Sequence, residues 1–362
     1  MEPSPDWPEP IVRVQSLSES CRDTIPDRYI KPPEARPATL SSTTATSSDA
    51  NIPLVNLEGL YGPDAALRQD TRRRVSEACR EWGFFQITNH GVRPDLMDRA
   101  QHVWREFFHL PMPLKQPYAN SPKTYEGYGS RLGVEKAAVL DWSDYYYLHY
   151  LPSELRDLRK WPALPADLRE VIAEYSSEIV RLGGELLKVF SVNLGLREDS
   201  LQTAFGGEEI GACLRVNFYP KCPQPDLALG LSSHSDPGGM TFLLPDPDVP
   251  GLQVRRPDGW VTVKPVPHAF IVNIGDQIQI LSNAIYKSVE HRVIVNSTQE
   301  RLSLAYFYNP KSNIPIQPLE EVVKPGETAS YSAMTFDEYR MYIRTKGPKG
   351  KSQLGASFKC TR

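Results

Sequence analysis

The chain has 362 residues, with 41 Lys and Arg against 44 Asp and Glu, and a net charge of −3. This near-neutral balance gives no basic footprint for nucleic acid, and no apolar run approaches the roughly 20 residues of a membrane span. The 5 cysteines are scattered and form no CxxC pair, which argues against a disulfide framework and a structural zinc site.

Residues 1–50 are predicted to form a flexible arm. The start MEPSPDWPEP is acidic and proline-rich, unlike a signal or transit peptide. Residues 31–50, KPPEARPATLSSTTATSSDA, are rich in Pro, Ser and Thr and have little to bury. Since the cysteines indicate a reduced protein and no targeting segment is evident, we expect a cytoplasmic location, with the nucleus as a second compartment.

Residues 51–209 are predicted to form a mostly helical region that contains two strands. The strand-like segments are IPLVNLEGL (52–60) and GFFQITNHG (83–91). Helical periodicity covers 63–83, RPDLMDRAQHVWREFFHL before Pro111, about 165–195, and 198–205.

Residues 210–333 contain short strand-like runs in close succession. The runs are ACLRVNFYP, LALGLSSHS, MTFLLPD, GLQVRRP, WVTVKPV, AFIVNIGD, IQILSN, YKSVEHRVIVN and RLSLAYFYN. Turns rich in Pro, Gly, Asp and Asn separate them, and RRPDGW is typical of a hairpin. This density predicts a closed or double-sheet core, a jelly roll or barrel, in a mainly β fold with flanking helices. Residues 334–362 are predicted to form a C-terminal helix, TFDEYRMYIRTKG, and a tail.

The segment SSHSDPGG indicates a metal site. His234 and Asp236 are two apart in a strand-like run, so their side chains point the same way and can contact one ion. An imidazole and a carboxylate suit iron(II), zinc or manganese. The third ligand is either His268, in the loop VPHAF, or His291, in the strand-like SVEHRVIV, and we favour His291. A packed core histidine is the alternative reading of this pattern.

The run RLSLAYFY predicts a carboxylate clamp. Strand alternation places four of its residues on one face: Arg301, Ser303, Ala305 and Phe307. An arginine that faces an apolar interior is costly unless it meets an anion, and its planar fork matches a carboxylate. The same alternation groups three residues of ACLRVNFYP: Arg215, Asn217 and Tyr219. A small dicarboxylate could therefore contact the metal at one end and Arg301 with Ser303 at the other.

Together these motifs resemble the plant 2-oxoglutarate/iron(II)-dependent dioxygenases. NFYPKCPQPDLALGLSSHSDPGG is similar to that family's NYYPxCPxPxLxxGxxxHTDxG block, with Ser235 where threonine is usual. WGFFQITNHGV is similar to its N-terminal WGFFQVxNHG block, and SVEHRV and RLS complete the set. The resemblance covers about residues 50–345 and implies a double-stranded β-helix (jelly-roll) core.

The same resemblance implies a site with iron(II), 2-oxoglutarate and O2, supported by ascorbate. It assigns iron to His234, Asp236 and His291. It assigns 2-oxoglutarate to Arg301 and Ser303, with Tyr219 and Asn217 beside them.

Three stretches resemble the jasmonate-induced oxygenases, which hydroxylate jasmonic acid at carbon 12. They are WPEPIVRVQSL, TYEGYGSRLGVEKAAVLDWSDYYYLHYLP and YIRTKGPKGKS. The resemblance implies jasmonic acid as the substrate, 12-hydroxyjasmonic acid as the product, and a damping of jasmonate-dependent defence. Arg215 and Arg344 are candidates for binding the hormone's carboxylate, with Arg344 in a C-terminal helix over the barrel mouth. Tyr147 and Phe307 are candidate apolar walls.

Other interpretations stay open at this point. A flavonoid oxidase of the anthocyanidin synthase or flavonol synthase type shares much of this pattern. A non-catalytic binding module on a jelly roll is a second alternative, and a zinc hydrolase is weaker because the chain has no HExxH. For single residues, Arg215 could pair with a nearby carboxylate, Arg344 could be solvated, and Tyr147 could belong to the core.

Overall fold

The computed structural model describes residues 12–21, 23–37, 51–120, 126–130, 139–346, 351 and 354–355. The helices there are α1 Val14–Ser20, α2 Glu58–Tyr61, α3 Ala65–Glu81, α4 Pro94–His109, α5 Met112–Lys115, α6 Leu168–Asn193, α7 Ser200–Ala204, α8 Asp276–Leu281 and α9 Phe336–Lys346. The strands are β1 Leu54–Asn56, β2 Phe84–Thr88, β3 Gly127–Ser130, β4 Asp144–Leu151, β5 Gly211–Tyr219, β6 Leu231–His234, β7 Met240–Leu244, β8 Leu252–Arg256, β9 Gly259–Thr262, β10 Phe270–Ile274, β11 His291–Val293, β12 Arg301–Asn309, β13 Pro315–Ile316 and β14 Met334–Thr335.

Local sequence signals explain where several elements begin and end. The side chain of Asp64 accepts hydrogen bonds from the backbone N–H groups of Ala66 and Leu67 and so caps α3. Pro94 occupies the first turn of α4, where its missing N–H costs nothing. The hairpin predicted at RRPDGW is confirmed, since β8 and β9 pair antiparallel across a turn that contains Gly259 at φ 136°.

Two sheets, one large and one small, form the core of the protein. The eight-stranded sheet has the order β1-β2-β10-β7-β12-β5-β4-β3, and the four-stranded sheet has the order β6-β11-β8-β9. Within the large sheet only β1 and β2 are parallel in the described residues. Apolar side chains of both sheets pack in one cluster, for example Leu252 and Val254 with Leu243 and Ile271. The two sheets therefore face each other across a common interior.

The opposite face of the large sheet is covered by helices. Phe108 of α4 stacks on Phe218 of β5 with ring centroids 4.7 Å apart. Gly183 of α6 lies so close to β12 that a Cβ there would be 2.3 Å from the Tyr308 ring. Because strand side chains alternate, this packing directs Arg301, Ser303 and their neighbours towards the small sheet.

One predicted strand is wrong. The run IQILSN lies mainly in helix α8, whose six residues are all buried. Periodicity cannot separate a strand from a helix in so short an apolar run. The start of α8 is fixed by backbone hydrogen bonds from Gly275 and Gln277 to the carbonyls of Gly239 and Gly238, at 2.8 and 2.9 Å. The helix therefore packs directly behind the Pro-Gly-Gly turn that follows Asp236.

The described part of the N-terminal arm packs against the rest of the protein, so the expectation of a flexible arm is wrong for residues 12–21 and 23–37. Val14, Ile25 and Tyr29 are buried in a cluster that also contains Trp142 and Cys222. A few well-placed apolar residues are enough to hold a segment that its composition predicts to be loose. Residues 1–11, 22 and 38–50 lie outside the described residues, and the division of the chain into four regions stays a prediction.

None of the helices in the described part of the chain has both the length and the apolar character that crossing a membrane requires.

Candidate metal centre

His234, Asp236 and His291 come together at the end of the small sheet. His234 of β6 lies directly opposite His291 of β11. Each of the three residues offers one ligand atom, and these atoms lie within 4.8 Å of one another. The alternative ligand His268 lies on an exposed loop, where its Nε2 is 3.0 Å from Oδ1 of Asp98. The structure therefore brings together the triplet with His291 and leaves His268 outside it.

Hydrogen bonds orient both imidazoles for metal binding. Nδ1 of His234 lies 2.8 Å from the carbonyl oxygen of Ser232, and Nδ1 of His291 lies 3.3 Å from that of Val289. Because a carbonyl oxygen only accepts, Nδ1 must carry the proton in each ring. This tautomer leaves the Nε2 lone pairs free to bind an ion.

The carboxylate of Asp236 is held in a similar way. Thr241 donates its hydroxyl to Oδ2 of Asp236 at 2.7 Å, and the Asn273 side chain donates to the same oxygen at 3.1 Å. The other oxygen, Oδ1, faces Nε2 of His234 and His291 at 3.7 and 3.6 Å. Our sequence reasoning missed Thr241 and Asn273, although each is a polar residue inside an otherwise apolar strand.

The protonation states suit a divalent cation. Burial, followed by the proximity of His291, lowers the pKa of His234 to about 4. Burial alone raises the pKa of Asp236, but the two histidines and the two donated hydrogen bonds outweigh it, so the pKa is lowered. At neutral pH the triplet thus offers a neutral imidazole and a carboxylate, the forms that bind metal. Two histidines and one carboxylate fit iron(II) and leave other coordination positions open.

Arg301 is a buried cation with neutral contacts in the described part of the chain. It is 3% exposed, and its Nε donates to the carbonyl oxygen of Val249 at 3.1 Å. Its guanidinium carbon lies 5.2 Å from the centre of the Tyr219 ring, and its Nη1 is 3.5 Å from Oγ of Ser303. Gly251 leaves room for the side chain, since a Cβ there would be 3.0 Å from Cδ of Arg301. A buried guanidinium in these surroundings fits an incoming carboxylate.

The predicted neighbours of the clamp lie on the same face of the large sheet. Ser303 is directly opposite Asn217, and Arg301 is directly opposite Tyr219. The residue types and the pairing register together place a hydroxyl, an amide and a phenol beside the guanidinium.

Arg215 lies farther along the same face, opposite Ala305 on one side and Tyr147 on the other. Its Nε donates to Oδ1 of Asn217 at 2.7 Å, and its guanidinium lies 4.4 Å from the centre of the Tyr145 ring. Both contacts are with neutral groups. Within the described residues, Arg215 therefore does not form the ion pair with a nearby carboxylate that was the alternative to substrate binding.

The two candidate apolar walls flank this arginine. Tyr147 and Phe307 are both half-buried. Phe307 lies directly opposite Cys213 and packs against the cluster between the sheets. Tyr147 forms a hydrogen bond with the thiol of Cys213. Because Tyr147 and Phe307 both lie next to Cys213, their side chains border the same interior.

Helix α9 contains two arginines, and Arg340 is the one whose side chain is described. Arg344 lies in α9, but its side chain falls outside the described residues. Arg340, one turn earlier, forms an ion pair with Asp337 and lies close enough to Cys213 to lower the pKa of that thiol, although burial dominates and raises it to about 11. Our sequence reasoning missed Arg340, yet its four-residue spacing from Arg344 puts both on one face of the helix.

Comparisons with known proteins decide the family. The 2OG-Fe(II) oxygenase superfamily matches residues 210–310, and the N-terminal region of non-haem dioxygenases in morphine synthesis matches residues 52–164. Jasmonate-induced oxygenase 2 of Arabidopsis thaliana is 65% identical over 350 residues, which cover 96% of this chain and 93% of that protein. This chain belongs to the 2-oxoglutarate/iron(II) oxygenases, among the jasmonate-induced oxygenases. It is therefore an enzyme that uses iron(II), 2-oxoglutarate and O2.

Two further similar proteins support the same family and fold. A leucoanthocyanidin dioxygenase of Malus domestica is 38% identical over 333 residues, with 90% of this chain and 93% of that protein covered. A crystal structure of JOX2 in complex with 2OG, Fe and JA superimposes with a TM-score of 0.90 at 63% identity, covering 98% of this chain and 99% of the other. This likeness confirms the predicted fold, a mainly β jelly-roll core with flanking helices.

Proposed function

We propose that this oxygenase hydroxylates jasmonic acid at carbon 12, with 2-oxoglutarate and O2 converted to succinate and CO2. One observation carries the substrate assignment. A second arginine with neutral contacts, Arg215, lies on the same sheet face as the buried Arg301. Because 2-oxoglutarate needs only one arginine for its distal carboxylate, the second is suited to a substrate with an acid group of its own. The complex of JOX2 with JA supports this assignment.

We infer that the metal triplet holds iron(II) and that Arg301 and Ser303 hold 2-oxoglutarate. Bound iron would supply the activation of O2 that no side chain can provide. Thr241 and Asn273 hold Oδ2 of Asp236 and so leave Oδ1 as the oxygen that would bind the ion. Tyr219 covers one side of the Arg301 guanidinium, and Asn217 lies beside Ser303, so the cosubstrate's distal carboxylate enters a prepared site.

We infer that Arg215 and Arg344 bind the jasmonate carboxylate, with Arg340 on the same helix face. Tyr147 and Phe307 then border the apolar part of the hormone, so that its pentenyl chain points at the metal. An acid group enclosed by arginines leaves no room for an amide extension. Amino-acid conjugates of jasmonic acid should therefore be poor substrates.

Such a reaction would lower the active hormone and damp jasmonate-dependent defence. We propose the cytosol, and also the nucleus, as its location. The four described cysteines, Cys21, Cys79, Cys213 and Cys222, are free, as expected of a reducing compartment.

The second candidate function is flavonoid oxidation, which the relation to leucoanthocyanidin dioxygenase favours. A flat polyphenol needs stacking rings and acceptors and has no acid for Arg215. The two proposals are separated by mass spectrometry of products from jasmonic acid and from a leucoanthocyanidin, each incubated with enzyme, iron(II), ascorbate and 2-oxoglutarate. A gain of one oxygen on jasmonic acid, matched by succinate, supports the first, whereas turnover of the flavonoid alone overturns it.

A further inference from the structure

Lys31 of the N-terminal arm is a buried cation that contacts the strand bearing His234. Its Nζ lies 2.8 Å from Oδ1 of Asp141, and both side chains are at most 4% exposed. The same nitrogen donates to Oγ of Ser232 at 3.0 Å and to the carbonyl oxygen of Leu140 at 2.8 Å. A buried ammonium is stable only with such an anion and such acceptors.

Ser232 connects this ion pair to the metal centre. Among the described residues, strand β6 is an edge strand, with β11 as its one neighbour in the small sheet. On the free edge, Oδ1 of Asp141 accepts the backbone N–H of Ser232 at 3.1 Å and also its hydroxyl. The carbonyl oxygen of Ser232 in turn contacts Nδ1 of His234 at 2.8 Å. Lys31 and Asp141 thus fix the group that orients the His234 imidazole.

The arm also holds the strand that bears His291. Arg292, the next residue, is buried, and its Nη1 lies 3.3 and 3.5 Å from the carbonyl oxygens of Ala35 and Arg36. Its Nε donates to the side chain of Gln253 in β8 at 2.9 Å. Two separate sets of contacts therefore join residues 31–36 to both histidine-bearing strands.

We propose that residues 31–36 form a clasp that positions His234 and His291 for iron binding, with Lys31 as its main positioning residue. The inference rests on the proposed assignment of these histidines as iron ligands. Partners that orient metal-bound histidines typically change metal affinity 10–100-fold when they are removed. The clasp extends the metal centre to a segment whose composition alone predicts a loose linker.

The test is iron binding by the full chain without prime substrate. Lys31→Met keeps most of the side-chain volume and removes the charge. We expect the apparent Kd for iron(II), measured anaerobically, to rise about tenfold. We also expect a shifted visible charge-transfer absorption of the iron(II)–2-oxoglutarate complex, a signature that a loss of stability alone does not produce.

The matched control is Lys115→Met. Lys115 is also buried and also contacts the arm, since its Nζ donates to Oε1 of Gln15 at 2.7 Å, but its side-chain hydrogen bonds reach neither β6 nor β11 in the described residues. Whatever this change does to Tm, iron affinity and the absorption band should stay as in the wild type. If Lys31→Met does not fold, Ser232→Ala removes the hydroxyl link without leaving a buried charge, and we expect a severalfold rise in Kd.

Three outcomes separate the possible failures. Wild-type iron affinity and absorption in the folded Lys31→Met and Ser232→Ala variants would overturn the clasp. Equal weakening by Lys115→Met would show a general effect of arm stability and would also overturn it. His234→Ala in the same assay tests the underlying assignment, because normal iron binding there would refute the ligand set itself.

Discussion

The guanidinium of Arg301 lies over the ring of Tyr219, with 5.2 Å between its carbon and the ring centre. The two residues are directly opposite on β12 and β5, so the contact is built into the register of the sheet. A cation held by a ring, a carbonyl and a hydroxyl is oriented before any ligand arrives. The proposed 2-oxoglutarate clamp is therefore preorganised, and its affinity should depend on the planar shape of the arginine.

Arg301→Lys tests that dependence. Lysine keeps the charge but loses the fork that matches a carboxylate. We expect the KM for 2-oxoglutarate to rise at least tenfold, about 1.4 kcal/mol, with little change in the KM for jasmonic acid. Tyr219→Phe keeps the ring and should have a smaller effect. Equal increases in both KM values for Arg301→Lys would contradict the assignment.

His234→Ala and Asp236→Ala should abolish iron binding, jasmonate hydroxylation and the slow decarboxylation of 2-oxoglutarate in the absence of substrate. Each change removes a ligand that the other two cannot replace. The control is His268→Asn, because His268 has φ 55°, a conformation that asparagine tolerates, and its partner Asp98 is exposed. The control should keep iron content, measured by metal analysis, and activity. Loss of iron from His268→Asn would reopen the choice of the third ligand.

Arg215→Met and Arg344→Ala should raise the KM for jasmonic acid and spare the substrate-free decarboxylation of 2-oxoglutarate. Methionine keeps the packing of Arg215 over Tyr145 but removes the charge that a carboxylate needs. We expect an effect of tenfold or more on kcat/KM for jasmonic acid. For methyl jasmonate, which has no charge to bind, wild type and Arg215→Met should be nearly equal. A parallel fall in decarboxylation for either variant would refute its role in substrate binding.

The proximity of His234 and Asp236 could be predicted from their two-residue separation, although β6 ends at His234 and Asp236 lies in the turn that follows. His234 and Asp236 lie two apart, and His291 was preferred over His268 for its strand-like surroundings. The arginine and serine of RLS followed from the same two-residue period. The register between strands could not be predicted in this way. Nothing in the local sequence indicates that Arg301 lies opposite Tyr219 or Arg215 opposite Tyr147.

The features that the sequence did not predict depend on contacts between segments that are distant in the chain. Lys31 lies 201 positions from Ser232, and the proline-rich sequence around it gives no periodicity to read. The run IQILSN lies mainly in helix α8, whose start is fixed by backbone hydrogen bonds from Gly275 and Gln277 to the turn after Asp236. Short-range propensity cannot reveal such bonds. Thr241 and Asn273 could have been identified from the sequence, because each is a polar residue in an otherwise apolar strand. A buried polar side chain needs a hydrogen-bond partner, and a metal ligand that is close in sequence is a candidate.

Lys115 should make stability depend on pH in a defined direction. Burial lowers the pKa of its amine to about 8, whereas the unfolded chain keeps an ordinary value near 10.5. Between these values the unfolded state binds more protons, so the free energy of unfolding rises with pH. Relative to Lys115→Met, the wild type should gain about 1 kcal/mol from pH 8 to pH 9.5 in urea unfolding. A constant difference, or one of opposite sign, would show that the amine titrates normally.

The proposed reaction is tested most directly by product analysis under ¹⁸O2 with the purified full chain, iron(II), ascorbate, 2-oxoglutarate and jasmonic acid. We expect a product one oxygen heavier than jasmonic acid, with ¹⁸O in its new hydroxyl at carbon 12 and in one carboxylate oxygen of an equal amount of succinate. Succinate without an oxidised jasmonate, together with turnover of a leucoanthocyanidin in a parallel reaction, would contradict the proposed substrate. Absence of succinate with either substrate would contradict the proposed iron and 2-oxoglutarate sites themselves.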